Sequence, residues 1–262
     1  MKTTTLKPPF GWVGGKSKLA KKIVSMMPKH NLYIEVFGGA LNVLYAKEKP
    51  LQGRYREVVN DYNGELINLH RAIRNNPQTL SMYLHRLLVS REIFEDIKHK
   101  RYKPRNNIER ASFFFYQLSQ SFGSKGDNFA MASKSRKPKN IYKDFSKWSK
   151  RLKLVTIENM DFEKLIKEYD REEAFFYCDP PYVETENYYK NKKTFDKKDH
   201  IRLFETLSKI KGKFLISYNN HQFVKKLYQN YNITESDKIA YTLGKNVHGK
   251  SKEVRELFIT NY

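Results

Sequence analysis

The residues best suited to chemistry are the tetrapeptide Asp179-Pro180-Pro181-Tyr182, which follows the apolar run 174–178. That run predicts a buried central strand, so the tetrapeptide stands where a strand ends in a loop, the place where open α/β sheets bind their ligands. The prolines lack N–H donors, but their carbonyls accept hydrogen bonds. A carboxylate, a carbonyl and an aromatic ring together suit a planar base that carries an amino group. The alternative is a plain strand exit with a Pro-Pro turn.

Two other predicted strands end in residues that suit a cofactor. The run 32–37 leads into Gly38 and Gly39, and an apolar run then opens a helix, an order typical of nucleotide-type cofactor sites. The full G-x-G-x-x-G pattern is absent, and a tight turn is the alternative. The run 57–60 ends at Asp61, about 20 residues past the glycines, where an acid is well placed for a ribose hydroxyl pair. The alternative for Asp61 is helix capping.

A third candidate is the N-terminal loop 9–16, which contains Trp12, Gly15 and Lys16. Its glycines allow a ligand to approach the backbone closely, and Lys16 adds a positive charge. The loop lacks the longer spacing of a phosphate-binding loop, so an ordinary turn is the alternative. The apolar spacing that follows predicts a helix.

Composition limits the class of protein. The 50 Lys and Arg residues against 28 Asp and Glu residues give a net charge of +22, which indicates a polyanionic partner such as nucleic acid. A single cysteine, Cys178, excludes an internal disulfide and a cysteine-rich zinc site. We expect no metal site. No apolar run of about 18 residues and no signal-peptide pattern is present, so we expect a cytoplasmic protein without a membrane span.

Residues 76–151 differ from the rest, because two helical stretches, 80–97 and 108–122, precede a polar, basic segment. Residues 76–150 contain sixteen Lys or Arg and six Asp or Glu, a net charge of +10 that is nearly half of the +22 of the whole chain. We expect an inserted, mainly helical domain whose basic loop clamps DNA, with a solvated charge run as the alternative. The candidate DNA-binding residues are Lys125, Lys134, Arg136, Lys137 and Lys139.

The α/β pattern of residues 1–75 resumes over 152–262, which predicts one discontinuous domain around the insertion. Beyond the strand before Asp179, the pattern predicts strands at 152–157, 214–218, 238–243 and 254–260. It also predicts helices at 161–169, at 201–210 with Asp199 as the cap, and at 223–228.

Five motifs in this order resemble the DNA adenine-N6 methyltransferases of the Dam-like group. The motifs lie at 9–16, at 33–39, at 60–67, at Asp179 to Tyr182 and at 217–219, and the chain end 257–262 is also similar. Two segments depart from the pattern. Residues 40–42 read Ala-Leu-Asn where members often carry another glycine, which leaves the detailed turn open. Residues 120–126 differ from the Asn-rich segment of GATC enzymes, which leaves the target sequence open.

The resemblance implies a Rossmann-like methyltransferase sheet that uses S-adenosylmethionine and acts on a flipped-out adenine in double-stranded DNA. It implies that Tyr182 stacks on that adenine and that Asp179 and the Pro180 carbonyl accept hydrogen bonds from its N6 amino group. A cognate restriction nuclease is a further implied partner. Implied cofactor contacts are Trp12, Gly15, Lys16, Glu35, Phe37, Gly38, Gly39, Asp61 and Asp179.

Two alternatives stay open at this point. One is a methyltransferase that acts on RNA or on cytosine N4, against which the aspartate form of the tetrapeptide favours adenine by resemblance. The other is a catalytically idle DNA-binding protein. The intact residues Asp61, Asp179 and Tyr182 argue against an idle protein.

Overall fold

The computed structural model describes residues 5–48, 54–130, 140–184, 195–245 and 251–262. Its contacts divide the chain into two compact units. Unit 1 comprises Met1–Ala20, Gly39–Lys49 and Asn63–Ile157, and unit 2 comprises Lys21–Gly38, Pro50–Tyr62 and Glu158–Tyr262. The assignment of 76–151 to target recognition concerns function and stays a prediction.

A seven-stranded sheet has the order β3-β2-β1-β4-β5-β9-β6, and a two-stranded sheet pairs β7 with β8. β1 pairs in parallel with both β2 and β4, and β4 pairs in parallel with β5, whereas β9 runs antiparallel to β5 and β6. The strands are β1 Leu32–Glu35, β2 Arg56–Asn60, β3 Val155–Glu158, β4 Ala174–Cys178, β5 Lys213–Asn219, β6 Asn232–Glu235, β7 Ile239–Lys245, β8 Ser251–Val254 and β9 Glu256–Thr260.

The helices that begin in unit 1 include a bundle of four contacting helices, α3, α4, α6 and α7. Their bounds are α1 Ala20–Ser25, α2 Asn42–Ala46, α3 Gly64–Asn75, α4 Pro77–His85, α5 Arg91–Lys98, α6 Asn107–Gln120 and α7 Ser146–Leu152. Unit 2 contains α8 Phe162–Tyr169, α9 Lys197–Leu207 and α10 Gln222–Leu227. None of the described helices is long and apolar enough to cross a membrane.

The core of unit 2 forms because side chains alternate along its strands. Ile34, Phe176 and Ile216 point to one face of the sheet and pack with buried residues of α8, α9 and α10. The residues adjacent to these on the same strands point to the opposite face. Two of them, Tyr33 before Ile34 and Tyr177 after Phe176, are also buried. That second face therefore combines aromatic rings with hydroxyl groups.

Three predictions of local structure were wrong in detail. The stretch 80–97 is two helices, α4 and α5, rather than one. Ser90 takes an extended conformation between them, and its hydroxyl accepts a hydrogen bond from the N–H of Ile93, so Ser90 is the N-cap of α5. Asp199 does not cap α9: Asp196 is the cap, and Asp199 completes a capping box as its third helical residue. The predicted strand 254–260 breaks at Arg255, where β8 ends and β9 begins.

Candidate active site

The strand order of the sheet reverses between β1 and β4, and such a switch point opens a crevice at the carboxyl ends of the strands. In unit 2 this edge contains Glu35 as the last residue of β1, Asp61 directly after β2 and Asp179 directly after β4. The parallel register aligns Glu35 with Val59 on one side and with Tyr177 on the other. Three predicted carboxylates therefore lie at neighbouring strand ends.

The Glu35 carboxylate is almost fully buried, with 2% of the residue exposed. The hydroxyl of Tyr33, two residues earlier on the same face of β1, donates a hydrogen bond to Glu35 Oε2 at 2.8 Å. Burial, followed by the charge of Glu35, raises the pKa of Tyr33 well above its ordinary value, so the phenol keeps its proton as a donor. A buried carboxylate with this fixed donor is oriented before any ligand binds.

Two asparagines fix the backbone around Asp61. The buried Asn60 donates from Nδ2 to the carbonyls of Val36 and Met160, and its Oδ1 accepts a hydrogen bond from the Met160 N–H. Asn159 donates from Nδ2 to the carbonyl of Asp61 at 2.8 Å. The end of β2 is thus connected to the end of β1 and to the loop before α8, and Asp61 occupies a rigid position.

The Asp179 carboxylate is part of a chain of hydrogen bonds. Ser217 Oγ donates to Asp179 Oδ1 at 3.0 Å, and the Tyr177 hydroxyl lies 3.1 Å from Ser217 Oγ. Ser217 has one hydroxyl proton, so the Tyr177 hydroxyl is the donor in the second bond. Burial, followed by the charge of Asp179, raises the pKa of Tyr177 well above its ordinary value, which keeps that donor protonated.

The residues after Asp179 are held by the neighbouring strand. Pro180 is buried and Pro181 is half-buried. Tyr182 is also half-buried, packs against the apolar core of unit 2 and lies 6.4 Å from the ring of Tyr218 between centroids. Asn219 Nδ2 donates to the carbonyl of Val183 at 3.1 Å, so the last residue of β5 fixes the exit of the tetrapeptide.

Phe37 and Gly38 continue the end of β1. The Phe37 ring contacts Phe162 and Phe195 at centroid distances of 5.7 Å each. The N–H of Gly38 donates to the carbonyl of Asn60 at 2.7 Å. The predicted unit 2 residues therefore lie along one edge of the sheet.

In unit 1, Gly39 lies between an indole and an imidazole. Its φ angle is +51°, and an added Cβ would lie 2.9 Å from Trp12 Cδ1, so both its conformation and its surroundings require glycine. His70 Nε2 is 2.8 Å from the Gly39 carbonyl. Burial lowers the pKa of His70 to about 4, so the ring is neutral and donates its Nε2 proton to that carbonyl.

The turn departs from the resemblance at Leu41. This residue has a φ of 59°, in the left-handed region that glycine adopts freely and that costs other residues roughly 1–2 kcal/mol. Leu41 is nevertheless buried, with 1% exposed, so its packing offsets part of that strain. A leucine in the stretch 40–42 thus takes a backbone conformation that glycine adopts freely.

The remaining predicted residues of unit 1 are partly described. Lys16 is 4% exposed and donates from Nζ to the Gly14 carbonyl, and the N–H of Gly15 donates to the Trp12 carbonyl. Lys125 is exposed just after the 3-10 turn Phe122–Ser124. The other predicted DNA-binding residues lie outside the described part of the chain: Lys134, Arg136, Lys137 and Lys139.

Sequence reasoning missed the supporting residues of the site. Ser217 and Asn219 were part of a resembling motif without an assigned role, and Asn159 and His70 carried no signal. The role of Ser217 depends on the strand register that aligns Cys178 with Ile216, because that register brings Ser217 beside Asp179. Cys178 is buried, and burial raises the pKa of its thiol, in agreement with a packing role.

The set of acceptors fits S-adenosylmethionine, whose ribose hydroxyls and α-amino group are hydrogen-bond donors and whose sulfonium is a cation. Glu35, Asp61 and Asp179 supply carboxylate acceptors at adjoining strand ends beside a switch point. No group of three or more His, Cys, Asp or Glu side chains in the described ranges is arranged to hold a metal ion.

Comparison with known proteins identifies the family. The sequence model for the D12 class N6 adenine-specific DNA methyltransferases matches residues 12–241. The chain belongs to this family. The assignment confirms the resemblance to Dam-like adenine-N6 methyltransferases, including the α/β methyltransferase fold and S-adenosylmethionine as methyl donor.

Three curated relatives are similar to the chain over nearly their whole length. The type II methyltransferase M1.LlaDCHI of Lactococcus lactis subsp. cremoris is 31% identical and covers 98% of this chain and 96% of its own. M.CviBI of Paramecium bursaria Chlorella virus NC1A is 25% identical, and the match covers 98% of this chain and 100% of the relative. M.MjaIII of Methanocaldococcus jannaschii is 27% identical, and the match covers 98% of this chain and 99% of the relative. The chain is thus a site-specific DNA methyltransferase that acts on adenine N6.

Proposed function

We propose that the carboxyl edge of the unit 2 sheet is where this D12-class enzyme holds adenine N6 for methyl transfer. The observation that carries the proposal is the hydrogen bond from Ser217 to Asp179 Oδ1 at the switch-point strand end. That bond fixes one carboxylate oxygen and orients the other. Bound S-adenosylmethionine supplies an electrophilic methyl group on a sulfonium, so this chain's residues have to position the attacking nitrogen.

Asp179 and the Pro180 carbonyl accept hydrogen bonds from the two N6 protons of a flipped-out adenine, and Tyr182 stacks on the ring. Two acceptors on the amino group turn the nitrogen lone pair out of conjugation with the ring and towards the methyl group. A base inside the duplex cannot reach such a pocket, so the enzyme extrudes it. Holding reacting groups in line is worth roughly 7–11 kcal/mol of the barrier at best, which makes positioning the main contribution.

The proposed cofactor contacts are the nine residues that the resemblance implies. In unit 2, Glu35 accepts from the amino acid end or the ribose, and Asp61 accepts from the ribose hydroxyls. The rigid hydrogen bonds around Asn60 and Tyr33 support these roles. The other proposed contacts are Trp12, Gly15, Lys16, Phe37, Gly38, Gly39 and Asp179.

Residues 76–151 form the target-recognition insertion, and residues 1–75 and 152–262 form the catalytic domain. The net charge of +10 over residues 76–150 supports a DNA-facing role. The basic residues that approach DNA are Lys125, Lys134, Arg136, Lys137 and Lys139. The proposal includes a cognate restriction nuclease as a partner and action in the cytoplasm.

The test is transfer of labelled methyl from S-adenosylmethionine to plasmid DNA, followed by modification-sensitive sequencing. We expect label on adenine N6 within one short motif. As a control, plasmid that the enzyme has already methylated fully with unlabelled cofactor accepts no further label. Label on cytosine, or on RNA in preference to DNA, would contradict the proposal.

A further inference from the structure

A cleft lies on the helical part of unit 1, where residues between positions 83 and 113 form it. It has a volume of about 360 Å³ and is formed by α4, the segment between α5 and α6, and the first half of α6. Its walls combine aromatic rings with positive charges. The lining residues are Tyr83, Arg86, Leu87, Arg101, Tyr102, Lys103, Arg105, Glu109 and Phe113.

The charge of the cleft is unbalanced. Four of its residues are cationic and one is anionic. Glu109 is occupied by Arg105, whose guanidinium forms an ion pair of 2.9 Å and lowers the pKa of that carboxyl. Over the described ranges, no carboxylate forms an ion pair with Arg86 or Lys103, both of which are exposed. These two cations are available to an anion from outside the chain.

The ring of Tyr83 orders the guanidinium groups. Arg86 and Arg105 lie over this ring at 5.8 and 5.9 Å from its centroid, and Asn106 Nδ2 donates to the Tyr83 hydroxyl at 2.9 Å. Cation–π attraction of this kind keeps guanidinium groups beside the ring. The arrangement instead presents N–H groups to an anion, and guanidinium groups match phosphate geometry.

We propose that this cleft binds a backbone phosphate of the DNA duplex, with Arg86 and Lys103 as its ligating cations. The inference rests on the proposed action on DNA and adds a contact surface outside the 124–150 segment. The sequence near the cleft supports it, because residues 98–110 contain six Lys or Arg residues and one acidic residue. Phosphate contacts fix the register of the protein on DNA without reading its sequence.

The test is the salt dependence of DNA binding by the double variant Arg86→Gln/Lys103→Gln. Each lost phosphate contact lowers the slope of log K against log salt by about 0.9, so we expect a decrease of about 1.8. At about 0.15 M salt this corresponds to a loss of roughly fivefold per contact, or about 25-fold for both. Target and non-target duplexes weaken alike.

Two controls separate this contact from general charge and from misfolding. The charge-preserving variant Arg86→Lys/Lys103→Arg keeps most of the slope. Lys209→Gln removes an exposed lysine two residues beyond α9, in unit 2, and leaves the slope unchanged. All variants should melt within a few degrees of the wild type.

The proposal is overturned if the double variant keeps the wild-type slope, if Lys209→Gln loses as much, or if only the target sequence weakens. Loss of binding to a free mononucleotide, with the DNA slope intact, would also overturn it. These measurements use binding without turnover. A wild-type enzyme that binds DNA but transfers no methyl would therefore contradict the proposed function and leave the test of the cleft intact.

Discussion

The substitution Gly39→Ala tests how the glycine turn supports the cofactor site. Gly39 has a φ of +51°, and a methyl group there would lie 2.9 Å from Cδ1 and 3.3 Å from Nε1 of Trp12. The left-handed conformation costs alanine roughly 1–2 kcal/mol. Displacing a packed indole costs about 1–3 kcal/mol more. We therefore expect the free energy of unfolding to fall by about 2–5 kcal/mol.

A matched substitution isolates the first cost. Gly126 has a φ of +77°, but the three atoms nearest to an added Cβ belong to the Gln117 side chain and lie 3.6 Å away, an ordinary contact distance. Gly126→Ala should therefore cost only the backbone strain, about 1 kcal/mol after the loss of chain entropy in the unfolded state. The cost of displacing the indole should disappear when Gly39→Ala is made in a Trp12→Ala background.

The assay is urea unfolding followed by far-ultraviolet circular dichroism, with S-adenosylmethionine affinity measured by calorimetry on the same variants. We expect Gly39→Ala to weaken cofactor binding, since it moves Trp12, and Gly126→Ala to leave it unchanged. The reasoning is refuted if Gly39→Ala costs no more than Gly126→Ala. It is also refuted if the cost of Gly39→Ala is the same with and without the indole.

Two further predictions concern other hydrogen bonds of the site. Ser217→Ala removes a hydrogen bond to the charged Asp179 carboxylate, which is worth roughly 1.5–3 kcal/mol. We therefore expect kcat to fall about 10- to 150-fold with the KM values for both substrates unchanged, whereas Ser217→Thr should keep most of the activity. A change in KM with kcat unaltered would contradict the positioning role. His70 has a pKa of about 4 when folded against about 6.5 unfolded, so the unfolded chain binds the proton first and stability is lost as pH falls from 6.5 towards 4. Between pH 7.5 and pH 5 the wild type should lose about 2 kcal/mol more of unfolding free energy than His70→Gln, measured by urea titration, and equal losses would contradict a neutral buried His70.

Much of the fold was predictable because hydrophobic patterning marks buried strands. The runs before Gly38, Asp61 and Asp179 appear as β1, β2 and β4. Strand boundaries were less predictable. The break at Arg255 separates two sheets, and local pattern contains no information about which strand pairs with which.

The acids of the site were visible in the sequence, whereas the groups that orient them were not. Tyr33 and Tyr177 look like ordinary core aromatics until their hydroxyls are located beside Glu35 and Ser217. The conformation of Leu41 is also invisible in sequence, since a leucine in the left-handed region contradicts local preference and is stabilised by burial. Long-range register and burial decide these features.

The most direct test of the central claim is single-turnover methyl transfer by Asp179→Ala and Asp179→Asn, with DNA pre-bound and the cofactor saturating. We predict that the transfer rate falls at least about a hundredfold in both variants, because alanine removes the acceptor for the N6 amino group and asparagine replaces the charged acceptor with a neutral amide, while DNA affinity stays within about threefold of the wild type. Weakened DNA binding with an intact transfer rate per bound complex would contradict the role assigned to Asp179.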